Sequence, residues 1–172
     1  FVRGDPHEYD DWKRDGCNGW GYADMLPYFR RLEDYPEGDQ SVRGSGGPIH
    51  CTNLDKFDPL SDAFVKACGE AGHKQLPDYN DGSYEGAYYL QYSTRRGWRS
   101  SSNAEYLKPA GNRANLTIVA NAPVSRVLTE NLRATGVEFL IGNTTHKVRA
   151  RREVILAAGP LGIMQACMDV VL

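Results

Sequence analysis

The last third of the chain alternates between short apolar runs and polar turns, a pattern typical of β-strands. Five strands are predicted, at residues 115–120, 124–129, 133–140, 145–150 and 154–158, separated by turns that contain Asn or Gly. The middle three strands alternate between apolar and polar positions and predict an antiparallel meander. The first and the last are apolar on both faces, which is typical of strands buried in a parallel sheet.

The last of these predicted strands ends in residues with almost no side chain. After Val154, Ile155 and Leu156 the sequence continues Ala-Ala-Gly-Pro, so another group must fill the space at the tip of the strand. The residues alone favour the interpretation that Ala158 and Gly159 only allow a helix to pack on the sheet.

Two helices are predicted in the first half of the chain. Asp58 can cap a helix that begins at Pro59 and ends before Gly72, and its apolar stripe predicts packing against the core. The stripe consists of Leu60, Phe64, Ala67, Cys68 and Ala71. Apolar residues between 25 and 32 also fall near helical spacing, but Pro27 cannot donate a backbone hydrogen bond. We expect either a helical turn before Pro27 or a new helix with Pro27 as its first residue.

The segment 87–98 predicts a strand with a tight turn near Gly97. Directly after it, Ser102 and Glu105 have the spacing of a capping box for a short helix through Tyr106 to Lys108. The proline at position 109 would end this helix, because its ring clashes with the preceding turn.

Three motifs suggest ligand sites but depart from the patterns that such sites need. The motif GSGGPI from Gly44 has Ile49 where a dinucleotide fingerprint needs its third glycine, and no GxGxxG occurs elsewhere. The acidic segment 78–85 has its glycine at the fifth rather than the sixth position of a calcium loop, so a solvated turn is favoured. The arginines of segment 95–99, beside Trp98, could bind phosphate or stack on a base, but a turn is the favoured interpretation.

Composition and charge exclude several classes of protein. With 172 residues and 41% hydrophobic content the chain can bury a core, and its net charge of -2 argues against a nucleic-acid-binding function. No stretch approaches the roughly 18 apolar residues that a membrane helix needs. The four cysteines lie far apart without a CxxC motif, so neither a zinc site nor a disulfide framework is expected. Free thiols favour a reducing compartment such as the cytoplasm.

Ten short motifs follow one another in an order that resembles the glucose-methanol-choline (GMC) oxidoreductases, nearer to the choline dehydrogenase branch. They are VRG, YDDW, GCNGWGYADMLPYFRRLE, GSGGPI, AF, DYND, QYSTRRGWRSSSNAEYLKPA, NLTIVANAPVSRVL, RATGVEF and ARREVILAAG. The resemblance covers positions 1 to about 162. It implies an α/β fold with α+β character: part of an FAD-binding, Rossmann-like domain with a β-meander, and part of a GMC substrate-binding domain.

The resemblance also implies a cofactor and a reaction. Members of the family hold FAD and oxidise the CH-OH group of an alcohol by hydride transfer to the flavin, and oxygen or a quinone then takes the electrons. In the family the backbone at the position of Val124 contacts adenine, and the strand that matches VILAAG runs under the cofactor. The implied cofactor-binding residues are therefore Val124, Ala158 and Gly159. A small-molecule alcohol such as choline is the implied substrate, and no metal site is expected.

The resemblance divides the chain into three segments. Residues 1–45 would belong to the FAD domain and its flavin lid, 46–112 to the substrate-binding domain, and 113–172 to the strands and meander of the FAD domain. The chain is expected to be an internal fragment, because the family's fingerprint glycines and its C-terminal catalytic His would lie outside it. No catalytic residue is assigned: His7, His50, His73 and His146 fit solvated surface positions.

After Gly159 the chain departs from the family pattern, with Ile163-Met164 in place of Ser-Pro and residues 169–172 in place of a glycine turn. The alternative to an enzyme segment is a truncated, non-catalytic module that binds flavin or substrate, or a structural α+β domain without flavin.

Overall fold

The computed structural model describes residues 1–55, 58–159 and 162–163. The chain divides into two compact units, Phe1–Arg113 and Ala114–Leu172. Residues 164–172, where the chain departs from the family pattern, lie outside the described residues. In the part of the chain that the structure describes, no helix is both long enough and apolar enough to cross a membrane.

In its described residues the first unit combines three helices of nine residues or more with an open sheet of four short strands. The helices are α1 (Pro6–Arg14), α2 (Tyr22–Leu32) and α3 (Pro59–Glu70), and the strands are β1 (Glu33–Asp34), β2 (Ile49–Thr52), β3 (Tyr92–Arg95) and β4 (Trp98–Arg99). The sheet order follows the sequence: β1 and β2 are parallel, and the two later pairs are antiparallel. A small core of Tyr35, Ile49 and Cys51 lies beside it, with Phe1 and Leu32 packed against the core.

Helix α2 contradicts both expectations for Pro27, which lies in the helix interior rather than at an end. Its ring removes one backbone hydrogen bond, so the helix depends on packing: the aromatic rings of Tyr22 and Phe29 contact Tyr9 of α1. Helix α1 itself was not predicted, because its sequence is mostly charged. The signal that could have shown it is Asp5 followed by Pro6, since the Asp5 side chain accepts a hydrogen bond from the His7 backbone.

Helix α3 begins and ends as predicted, but its apolar stripe does not pack against a core. The Asp58 side chain caps it, and Gly72 after its end has a φ of +92°. Leu60 and Phe64 are 78% and 67% exposed. They line a hollow of about 620 Å³ together with Tyr88, Leu90 and other residues of the first unit.

The β3–β4 hairpin confirms the turn predicted near Gly97. Arg96 and Gly97 both have positive φ, 51° and 81°, as a two-residue type I′ turn requires. The capping box predicted after it is wrong. A π-helical turn (Asn103–Leu107) runs into a short helical turn (Lys108–Ala110) that contains Pro109, and Ser101 rather than Ser102 accepts a hydrogen bond from the Ala104 backbone.

The second unit contains the predicted meander. Strands β5 (Val124–Glu130), β6 (Arg133–Ile141) and β7 (Thr144–Arg149) form an antiparallel sheet in that order. The strands predicted at 115–120 and 154–158 are wrong for this structure, which has irregular chain there. A parallel strand needs neighbouring strands, and the described residues of this unit provide only the meander. Aliphatic side chains in both segments are exposed, including Ile118 and Ile155.

Replacing Asp58 with Ala should lower the free energy of unfolding by about 1 kcal/mol, because the Leu60 backbone N-H loses its capping acceptor. Urea denaturation measures the change. Lys66→Ala, at an exposed position of the same helix, serves as the control and should change the stability by less than about 0.5 kcal/mol. Equal losses of stability in the two variants would show that the hydrogen bond from the Leu60 backbone to Asp58 does not stabilise the helix.

Candidate functional site

Val124 is the first residue of β5 and pairs with Phe139 of β6. Its side chain is 44% exposed. Strand β5 lies at an edge of the described three-stranded sheet, so one row of its backbone N-H and C=O groups has no strand partner there. Main-chain groups of this kind can pair with the adjacent donor and acceptor on an adenine ring, which is the contact that the family resemblance implies for this position.

Ala158 and Gly159 lie at the end of the apolar segment after the meander, and both are exposed. Gly159 has a φ of +74°, and a Cβ built there would meet no atom within 4 Å. The positive φ, which other residues rarely adopt, is therefore the reason for a glycine that the structure shows at this position, since the space beside its backbone is open. Val124, Ala158 and Gly159 belong to the same unit.

A buried network of charged and polar side chains in the first unit was not predicted. Glu33 Oε1 accepts hydrogen bonds from Arg3 Nη2 at 2.5 Å, from Arg43 Nε at 2.8 Å and from the Gly44 backbone at 2.7 Å. Arg43 also pairs with Asp78. The side chains of both arginines and of Glu33 are at most 1% exposed. Two guanidinium groups thus face two carboxylates, which is a balanced arrangement for a buried cluster.

Two amides and a tyrosine extend this network to the start of the chain. Asn80 Oδ1 accepts from the Arg3 backbone at 2.8 Å, and Gln91 Oε1 accepts from Arg43 at 3.1 Å and from Asn80 at 2.9 Å. Tyr79 donates its hydroxyl proton to the Phe1 carbonyl. The segment 78–80 is therefore partly buried and structural, in contrast to the solvated turn expected from sequence.

Electrostatics argues for a structural role of these groups. Burial opposes the charge of Arg43, but its hydrogen bond to Glu33 and the charges of Glu33 and Asp78 outweigh burial and raise the pKa of Arg43. Burial also raises the pKa of the Cys51 thiol to about 12, so this cysteine is not a nucleophile at neutral pH. The described residues contain no group of three or more potential metal ligands of the His, Cys, Asp or Glu types.

The histidines do not form a catalytic centre in the described part of the chain. His7, His73 and His146 are exposed, as expected, although His7 lies in α1 and His146 within β7. His50 is half-buried, and its Nδ1 lies 2.9 Å from Asp34 Oδ2. Asp34 Oδ1 also accepts a hydrogen bond from the Gly46 backbone, so the carboxylate joins β1, β2 and the glycine-rich loop.

The Asp34 carboxylate should make the stability depend on acid pH. The Gly46 N-H, followed by the hydrogen bond from His50, holds the pKa of Asp34 below its ordinary value. Its contribution is present above the ordinary Asp pKa of about 3.9 and is lost as the pH falls from there through the lowered value. We expect Asp34→Asn to be less stable than wild type at neutral pH, and the difference to shrink in acid. Thermal unfolding from pH 7 to pH 3 measures this, with exposed Asp55→Asn as control; a difference independent of pH would contradict it.

Comparison with known proteins decides the family. The GMC oxidoreductase family model matches residues 1–163. This chain belongs to the GMC oxidoreductase family. The match includes Arg3 and the glycine-rich segment 43–47 of the buried network, as well as the three residues predicted to bind the cofactor.

Relatives and solved structures agree with this membership. Oxygen-dependent choline dehydrogenase of Brucella anthropi is 40% identical over 161 residues, which is 94% of this chain and 29% of that protein. The choline dehydrogenase of Sinorhizobium medicae is 40% identical over 158 residues, again 29% of its length. The solved structure of an FAD-dependent oxidoreductase from Chaetomium thermophilum has a TM-score of 0.85 and 31% identity. The match covers 97% of this chain and 32% of the length of that protein. Pyridoxine 4-oxidase from Mesorbium loti matches with a TM-score of 0.78 and 28% identity, over 91% of this chain and 31% of its own.

These matches confirm the predicted fold class, which combines helices with open sheets in the manner of FAD-dependent GMC proteins. The chain spans less than a third of the length of the relatives and structures that it matches.

Proposed function

We propose that this chain is a segment of an FAD-dependent enzyme that oxidises the CH-OH group of a primary alcohol, such as choline, by hydride transfer to the flavin. The observation that carries the proposal is the identity of 40% with two oxygen-dependent choline dehydrogenases over more than nine-tenths of this chain. Bound FAD supplies the hydride acceptor, and the protein supplies the binding and orientation of both reactants. Oxygen or a quinone is the proposed final electron acceptor.

Two features of the second unit support the proposal that FAD binds there. The unpaired edge of β5 offers main-chain groups at Val124 for the adenine ring. The open space beside the Gly159 backbone would admit cofactor atoms there, and the small side chain of the preceding Ala158 would leave room beside them. We assign these three residues to cofactor binding, residues 1–45 and 113–172 to the cofactor side of the enzyme, and residues 46–112 to its substrate side.

The described histidines explain why this segment alone should not turn over. None of them combines burial, an orienting partner and a place beside the proposed cofactor residues: His50 has its Asp34 partner in the first unit, and His146 stacks on Phe139. We infer that a base outside the described residues accepts the proton of the alcohol. A non-catalytic flavin- or substrate-binding module remains the alternative function, and activity of the full-length gene product distinguishes the two.

Anaerobic addition of choline to the FAD-loaded, full-length gene product tests the proposed reaction. We expect the visible absorbance band of the oxidised flavin to disappear, because hydride transfer reduces it, and to return when oxygen or a quinone is admitted. Trimethylamine, which lacks the CH-OH group, is the matched control and should leave the band unchanged. A flavin-loaded protein that is reduced by no alcohol of a panel of primary alcohols would favour the binding module.

Ala158→Leu should weaken FAD binding to the full-length gene product, because the added carbons occupy the proposed cofactor space. Overpacking typically costs about 1–3 kcal/mol, which corresponds to a roughly five- to 150-fold higher Kd for FAD. Gly159→Leu is a less specific test, since a φ of +74° strains leucine even without cofactor. Ala114→Leu, the same change at an exposed turn of the second unit, is the control. Unchanged FAD affinity in Ala158→Leu would contradict the assignment.

A further inference from the structure

An exposed turn between α1 and α2 places an asparagine directly before a glycine. In the turn 17–20, the Trp20 backbone N-H donates to the Cys17 carbonyl at 3.2 Å. Asn18 and Gly19 are the two central residues of the turn, and both are exposed. Gly19 has a φ of +87°, the conformation that the second central residue of a type II turn needs. No other asparagine in the sequence is followed by glycine.

The fold leaves both chemical groups of this pair without a hydrogen bond. In the described residues, neither the side-chain amide of Asn18 nor the backbone N-H of Gly19 has a hydrogen-bond partner. Glycine has no Cβ to keep a neighbouring side chain away from its nitrogen, and it permits rotation of the peptide plane before it. Bond rotations within the turn itself therefore bring the Asn18 side chain to the Gly19 nitrogen.

The two Asp-Gly pairs of the sequence, at 15–16 and 81–82, differ from this pair because hydrogen bonds hold them. The Gly16 backbone N-H donates at 3.2 Å to a carbonyl in the last turn of α1. The Asp81 carboxylate accepts a hydrogen bond from the Ser83 backbone at 2.8 Å. A carboxylate is also a poorer target for a nitrogen nucleophile than an amide. The structure thus singles out the Asn-Gly pair as the reactive one.

We propose that Asn18 is a modification site, at which asparagine is converted to aspartate and isoaspartate without an enzyme. The Gly19 nitrogen loses its proton and attacks the Asn18 side-chain carbon Cγ. A C–N bond forms, the bond from Cγ to Nδ2 breaks, and the amide nitrogen leaves as ammonia with the proton that was lost. Water then opens the cyclic imide at one carbonyl to give aspartate, or at the other to give isoaspartate. The reaction needs no oxidant, and the site does not depend on the assignment of FAD to the second unit.

Isoaspartate would lengthen the backbone of this turn by one carbon, between two helices that are joined by side-chain contacts. The Asp10 carboxylate of α1 accepts from the Tyr22 backbone of α2 at 2.9 Å, and Lys13 Nζ lies 3.0 Å from Asp24 Oδ2. We expect the isoaspartate form to unfold at a lower temperature than the Asn18→Asp variant, which has the same charge and an unchanged backbone. Equal unfolding temperatures would contradict this effect.

Incubation of the full-length gene product in mildly alkaline buffer, followed by peptide mapping with mass spectrometry, tests the modification. We expect Asn18 to react at least about tenfold faster than Asn143, an exposed asparagine between β6 and β7 that threonine follows. The rate should increase with pH, because the attacking nitrogen must lose a proton. The product should contain isoaspartate, which forms through the cyclic imide and not through direct hydrolysis of the amide.

Asn18→Gln is the matched variant, since it keeps an amide at the same exposed position. Its carbonyl carbon lies one bond further from the Gly19 nitrogen, so position 18 should stay unmodified during the same incubation. A sample unfolded in urea separates the reactivity of the sequence from the effect of the fold. Modification of Asn18 in urea but not in the folded protein, or in neither, would overturn the proposal. Equal rates at Asn18 and Asn143, or a product without isoaspartate, would overturn it as well.

Discussion

Glu33→Gln should lower the free energy of unfolding by about 3–5 kcal/mol, the range typical of a buried ion pair that loses one partner. The carboxylate of Glu33 accepts hydrogen bonds from two buried arginines and from a backbone N-H, and its side chain is fully buried. Glutamine has nearly the same shape, but it lacks the charge and presents two N-H donors to a site already filled with donors. Two guanidinium groups would then face the single carboxylate of Asp78.

Urea denaturation of the full-length gene product measures this loss, and Glu37→Gln is the matched control. Glu37 is exposed, so the same change there should alter the stability by less than about 0.5 kcal/mol. A loss of less than about 1 kcal/mol for Glu33→Gln, within the range of an exposed ion pair, would contradict the network as described.

Gly44→Ala should be the second strongly destabilising change, by about 3 kcal/mol, at the upper end of overpacking costs. A Cβ at position 44 would lie 2.0 Å from the Arg30 carbonyl oxygen, and backbone atoms cannot move aside as a flexible side chain can. Gly44 also donates its N-H to Glu33 and accepts from the Tyr35 backbone. Any shift that relieves the clash would therefore break hydrogen bonds of the buried network.

Gly46→Ala in the same loop separates steric overlap from backbone conformation. Gly46 has a φ of +77°, but a Cβ there would meet nothing within 4 Å. The expected loss is about 1 kcal/mol, the cost of placing alanine in the left-handed region. Thermal unfolding of both variants gives the comparison. If Gly46→Ala lowered the stability as much as Gly44→Ala, the contact between Gly44 and the Arg30 carbonyl of helix α2 would not be the cause of the loss.

The elements that were predicted correctly from sequence are formed by interactions between residues that are close together in the chain or on neighbouring strands. The Asp58 cap, the type I′ turn at Arg96-Gly97 and the meander each depend on local hydrogen bonds or on alternation between neighbouring strands. Pro27 shows the limit of such rules, because contacts between α1 and α2 outweigh one missing backbone bond. The capping box failed for a local reason: Glu105 accepts a hydrogen bond from Ser100, before the helix, instead of capping the helix start.

The elements that sequence did not predict depend on residues far apart in the chain. Arg3 and Glu33 are 30 positions apart, and Arg43 and Gln91 are 48 positions apart, so no local pattern shows their contact. The apolar segments 115–120 and 154–158 have the residue composition of strands but are irregular in the structure. A strand forms only where other strands provide hydrogen-bond partners for its backbone groups.

The flavin released from the purified full-length gene product shows whether this chain belongs to an FAD-dependent enzyme. Heat denaturation followed by chromatography identifies the flavin and gives its amount for each polypeptide. We expect FAD close to one equivalent, and a marked decrease in Ala158→Leu but not in Ala114→Leu. A folded product that contains no flavin, and that takes up none when FAD is added, would rule out an FAD-dependent enzyme.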